Sequence, residues 1–100
     1  MRKKRDPIPP GEILWKEFME PAGISQNKLA RDIDVPVTRI GDIIHGRRGI
    51  STDSALRLSV YFNTTPEFWS NLQTAYDLKI SKRDLLPDIR KAVRPLREAS

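Results

Sequence analysis

The sequence predicts an all-α domain of short helices, and three observations lead there. Proline, glycine and small polar residues punctuate the chain at short intervals; the apolar residues between them recur three and four apart; and no stretch alternates apolar with polar as a half-buried strand would. At 100 residues the chain makes one domain. A domain of this size buries only about 60% of the surface its unfolded chain exposes. It folds on a thin margin, so a dimer is expected on stability grounds alone.

Pro9, Pro10 and Gly11 open a first helix, roughly 10 to 20, with Ile13, Leu14 and Phe18 inward; Pro21 and Gly23 close it. Ser25 caps a second helix whose Leu29, Ala30 and Ile33 share one face. Only Asp34 and Val35 separate it from Pro36, which suits the first turn of a third helix because its missing N–H has no intrahelical role there. Ile40, Ile43 and Ile44 mark the buried face of that helix, and Gly46 ends it. Ser51 or Thr52, with Asp53, begins a fourth helix carrying Ala55, Leu56, Leu58, Ser59 and Phe62 inward. Asn63 caps its far end. Thr65, Pro66 and Glu67 open a fifth, with Phe68, Trp69, Leu72, Ala75 and Tyr76 on its apolar face. Between Pro87 and Pro95 the spacing of Ile89, Val93 and Leu96 predicts a short amphipathic helix. The chain divides into a flexible basic segment at 1–8, a helical domain at 9–78 and a basic, partly helical extension at 79–100.

The net charge is +5, but it is concentrated at the ends. Four of the first five residues are basic, acids outnumber bases between 6 and 78, and 79–97 is again strongly basic. Overall charge therefore cannot identify a nucleic-acid surface, and the case rests on pattern. There is no cysteine, which excludes disulfides, thiolate nucleophiles and cysteine zinc sites and fits a reducing cytoplasm. No apolar run reaches the length of a membrane span, and the first residues lack the apolar stretch of a secretory signal. With one histidine and no glycine-rich phosphate loop, the sequence points away from an enzyme and calls for no cofactor.

Residues 25 to 45 have the form of a helix-turn-helix: cap, Leu-Ala pair, short turn with Val, then isoleucines at i, i+3 and i+4. The outer face of the third helix holds Val37, Thr38, Arg39, Gly41 and Asp42. Arg39 can bond guanine O6 and N7, Thr38 can reach a base edge and Val37 can pack on a thymine methyl. Gln26 and Asn27, at the start of the second helix, suit a phosphate and fix register. Arg47 and Arg48 follow the third helix as phosphate clamps, with Lys28 beside them. Asp42 either orients Arg39 or faces water. Gly41 costs about 1 kcal/mol in a helix interior, and marks either close approach by DNA or neutral drift. Trp69, Leu72 and Tyr76 are candidates for core or dimer interface. His45 has a structural role at a helix end, with no metal site around it. The run Arg2-Lys3-Lys4-Arg5 is either a DNA arm or a solvated end.

Four stretches resemble the HigA-type antitoxins of bacterial toxin–antitoxin operons, within the lambda-repressor-like (XRE) helix-turn-helix group. They are PPGEIL at 9–14, ISQNKLARDIDVPVTRIGDIIHGRRGIS at 24–51, ALRLSVYFNTTPEFWSNLQTAYDL at 55–78 and IRKAVRPL at 89–96. The resemblance implies a lambda-repressor-like five-helix domain with a short C-terminal helix. It also implies a homodimer that binds a palindromic operator to repress its own operon and neutralises a HigB-type, RelE-like ribonuclease. It places Val37, Thr38 and Arg39 in the groove, supported by Gln26, Arg47 and Arg48, and draws dimer contacts from Trp69, Leu72 and Tyr76. Two positions depart from the pattern: Asp34 stands where glycine is usual, and Pro36 where many relatives have a polar residue. The alternatives are a free-standing, prophage-type repressor without a toxin, and a protein-interaction module. Failure to complex the product of a neighbouring small gene separates the first; absence of operator binding separates the second.

Overall fold

A computed structural model describes residues 7–97 of the chain; the Arg2 to Arg5 run lies outside the described residues. Six helices follow one another with no strand among the described residues. The first, α1, is α-helical over Pro10–Ile13, widens to a π turn over Leu14–Met19, and is α-helical again over Glu20–Ala22. Contrary to the sequence expectation, Pro21 does not close it. Pro21 sits within the last turn, and Gly23, left-handed at φ 68°, closes it. In a regular helix a proline ring collides with the carbonyl four residues back, and the wider turn ahead of Pro21 relieves that collision. The same turn brings Leu14 and Met19, five apart, into the core together.

Helix α2 spans Gln26–Ile33, and the Ser25 hydroxyl accepts from the Lys28 N–H at 3.0 Å. Asp34 ends it in left-handed conformation at φ 61°, while the Val35 N–H reaches the Ala30 carbonyl at 3.0 Å. Asp does here what glycine usually does, since its short polar side chain tolerates that geometry. Helix α3 spans Val37–Ile44. Pro36 is extended and stands one place before the helix, a shift from the expected first turn. Helix α4 spans Thr52–Phe62 with Ser51 as its cap and left-handed Asn63 behind it. Helix α5 spans Pro66–Asp84, capped by Thr65, and α6 spans Leu86–Ala92 with Pro87 in its first turn. Val93 is extended and ends α6 short of the residues expected to continue it.

The core gathers Leu14 and Met19 of α1, Leu29, Ala30 and Ile33 of α2, Ile40 and Ile43 of α3, Ala55 and Leu58 of α4, and Trp69 of α5. Trp69 has no exposed surface; its ring lies 4.8 Å from Phe18 and its Nε1 donates to Thr64 Oγ1 at 2.7 Å. Leu56 and Ala75, expected inward, are exposed. At 1.5 Å per residue α5 is about 28 Å long, and its second half and α6 run beyond the core. The molecule measures 57 × 34 × 20 Å, with a radius of gyration of 17.2 Å against about 13 Å for a compact chain of this length. Leu78, Leu85 and Ile89 stand half-exposed on that arm. No helix is long and apolar enough to cross a membrane among the described residues.

Candidate nucleic-acid interface

The three-residue turn Asp34-Val35-Pro36 joins α2 to α3, and the isoleucines of α3 fix which side of it faces out. Ile40 and Ile43 are buried, so Val37 and Thr38 at its amino-terminal end are exposed, Val37 by 42%. These are the positions that reach base edges when such a helix enters a major groove. Arg39 is partly buried and is not free. Its Nη1 donates to Asp53 Oδ2 at 2.6 Å, across to the first turn of α4.

At the start of α2, Asn27 is exposed and Gln26 is half-buried. Gln26 lies against α3, because a Cβ placed on Gly41 would meet its Oε1 at 3.3 Å. Gly41 is therefore not a point of close approach by DNA, one of the two readings of its helical position. It is buried, and its missing side chain lets Gln26 cross over α3. Lys28 turns down its own helix to Asp32 Oδ2 at 2.9 Å, away from the α2 amino terminus. The Tyr61 hydroxyl donates to the same oxygen at 2.7 Å. Tyr61 and Lys28 hold the Asp32 carboxyl below the usual carboxylate range, and the same contacts raise the Tyr61 and Lys28 values.

Beyond α3, the loop that carries Arg47 and Arg48 is built on Asp42. Its carbonyl accepts from the N–H groups of both arginines at 2.8 and 3.1 Å, and its carboxylate accepts from Arg47 Nε at 3.0 Å. Asp42 thus orients Arg47, whereas the sequence left it between Arg39 and solvent. Arg48 makes no side-chain bond among the described residues and is exposed. His45 Nδ1 donates to the Gly41 carbonyl at 2.8 Å, the structural role expected of it. Helix α5 fastens the far end of the loop: Gln73 Oε1 accepts from the Ile50 N–H at 2.8 Å, and Gln73 Nε2 donates to Asp77.

Three residues of this surface were not among the expected site residues: Asp53, read only as opening the fourth helix, Arg57 and Gln73. The i, i+4 spacing of Asp53 and Arg57 on a helix was the one available hint. The dimer candidates separate as well. Trp69 is wholly inside the protomer and has no surface to give a partner, while Leu72 and Tyr76 remain partly exposed. No cluster of His, Cys, Asp and Glu able to hold a metal ion occurs among the described residues.

A helix-turn-helix family model matches residues 16–69, from α1 through the start of α5. Antitoxin HigA-1 of Vibrio cholerae serotype O1 is 40% identical over 98 residues, covering 96% of this chain and 90% of its own. The chain belongs to the HigA family of helix-turn-helix proteins. The solved Pseudomonas aeruginosa antitoxin HigA with higBA promoter matches with a TM-score of 0.87 and 42% identity, over 91% of this chain and 99% of that one. Antitoxin GraA in complex with its operator matches with a TM-score of 0.87 and 44% identity, over 98% and 95%. The HigA family is one of DNA-binding antitoxins and repressors, and the chain is not an enzyme.

Proposed function

We propose that the chain binds the operator of its own operon as a homodimer in the cytoplasm and neutralises a HigB-type, RelE-like ribonuclease toxin. The observation that carries the DNA reading is the exposed amino-terminal end of α3, where Val37 and Thr38 stand open with Arg39 beside them. Gln26 and Asn27 frame it on one side, and the Asp42-built loop with Arg47 and Arg48 follows its other end. Val37, Thr38 and Arg39 read bases; Gln26, Asn27, Arg47 and Arg48 hold phosphates. Lys28 joins them only by leaving Asp32. Dimer contacts come from Leu72 and Tyr76 and from the half-exposed Leu78, Leu85 and Ile89 on the arm formed by α5 and α6. The two copies of α3 then enter successive major grooves about 34 Å apart.

A mobility-shift titration on the upstream promoter duplex against a scrambled duplex, at two salt concentrations, tests this. Selective, salt-sensitive binding is expected. Arg39→Ala should cost about 1–3 kcal/mol at one base position, while Arg47→Ala should weaken all sequences alike and flatten the salt slope. Binding no better than to the scrambled duplex overturns the reading. The toxin part is tested by co-expression with the adjacent small open reading frame; no complex and no relief of growth arrest would leave a repressor without a toxin.

A further inference from the structure

We propose that Asp53 is a specificity-determining residue, which presents Arg39 to a guanine by holding one side of its guanidinium; this rests on the operator-binding reading above. A single carboxylate oxygen, Asp53 Oδ2, accepts from Arg39 Nη1 at 2.6 Å and from Arg57 Nε at 2.9 Å. Arg57 in turn donates through Nη1 to the Ile33 carbonyl at 2.8 Å and the Asp34 carbonyl at 3.2 Å. Those carbonyls belong to the end of α2 and the turn. The reader on α3, the carboxylate on α4 and the turn that aims α3 are thus one bonded chain.

The arrangement matters because guanine is read by two coplanar donors aimed at O6 and N7, and a guanidinium carries five donors in a rigid fork. Asp53 engages Nη1. The edge formed by Nε and Nη2 has no partner among the described residues and is left for a base. Arg39 has 26% of its side chain exposed, so most of it is covered. Held at Nη1 and largely covered, the fork is restrained before DNA arrives, and less freedom is lost on binding. Asp53 faces two cations, which neutralise it and hold its carboxyl below the usual range, so it stays ionised without presenting bare negative charge to phosphate. An exposed ion pair of this kind contributes little to folding stability. Its contribution is to geometry.

The experiment is a mobility-shift panel of upstream-promoter duplexes, each with one base pair exchanged, together with the scrambled duplex. It is run for wild type, Asp53→Ala, Arg39→Ala and the double variant. Asp53→Ala should lose about three- to tenfold on the intact operator, a part of what a bidentate contact supplies. It should lose discrimination at the same base pair as Arg39→Ala and nowhere else. The double variant should be no worse than Arg39→Ala alone. Equal weakening on every duplex would overturn the proposal, as would effects of the two variants that simply add. Tighter binding by Asp53→Ala would also overturn it, since the pair would then restrain Arg39 rather than present it. If wild type itself fails to discriminate, the operator-binding reading falls and takes this one with it. Should the alanine variant not fold, Asp53→Asn keeps the shape, removes the charge and is read in the same way.

Discussion

Gly11→Ala adds one methyl group, and the structure says where it goes. Gly11 is helical, so alanine is allowed by the backbone, and the cost is one of space alone. A Cβ at that position would lie 1.9 Å from the Ile43 carbonyl oxygen, 2.7 Å from its carbon and 2.8 Å from Ile44 Cα. All three are main-chain atoms of α3, which cannot swing aside as a side chain would. The two helices would have to part by about 1 Å, which places the cost at the upper end of the usual range for overpacking, about 3 kcal/mol. For a domain of this size that is a fall of about 12–24 °C in Tm. Thermal melts followed by circular dichroism, at fixed protein concentration because of the proposed dimer, measure it. A Tm within about 4 °C of wild type would refute the reasoning, since it would mean that α1 does not lie against α3.

The other glycine of this contact region behaves in the opposite way. Gly41→Ala meets only the end of the Gln26 side chain at 3.3 Å and gains about 1 kcal/mol of helix preference. Its Tm should hold or rise while operator affinity falls severalfold, read by melt and mobility shift on one preparation. Trp69→Ala should cost about 3–5 kcal/mol and leave little folded protein in a urea titration. Tyr76→Ala should raise the dimer dissociation constant in sedimentation equilibrium and lower Tm, with the melt lowest at low protein concentration, where less dimer is present to support the fold. Asp32 and Asp53 both ionise more easily in the folded chain, so their contribution is present above the unfolded carboxylate value. It should be lost as pH falls below about 4, and in a pH series of melts Asp32→Asn should flatten that limb.

Features set by a few neighbouring residues were legible in the sequence. Ser25, Thr65 and Asn63 stand where the caps were read, because a cap is chemistry between a side chain and the next turn. The outward position of Val37 and Thr38 followed from the isoleucine spacing. What could not be read spans distance or breaks the period. Arg39 and Asp53 are 14 residues apart, and Ile50 and Gln73 are 23 apart, with nothing between them to signal contact. Phase on α4 and α5 misled in detail, since Leu56 and Ala75 fit an apolar stripe but lie on the open side. Met19 was missed because a reading by threes and fours assumes regular winding, and α1 departs from it just ahead of Met19. That the fold would bury Trp69 completely and leave Leu78 and Leu85 open depends on where the core ends, which no local pattern marks.

The wide turn in α1 also bears on how residue number maps onto position along the helix. A π turn absorbs one residue more than a regular path needs, and the helix on either side keeps its phase, so that Leu14 and Met19 behave as if they were four apart. In this helix, residue number and position in space part company by one across Leu14–Met19, just where Pro21 needs the room.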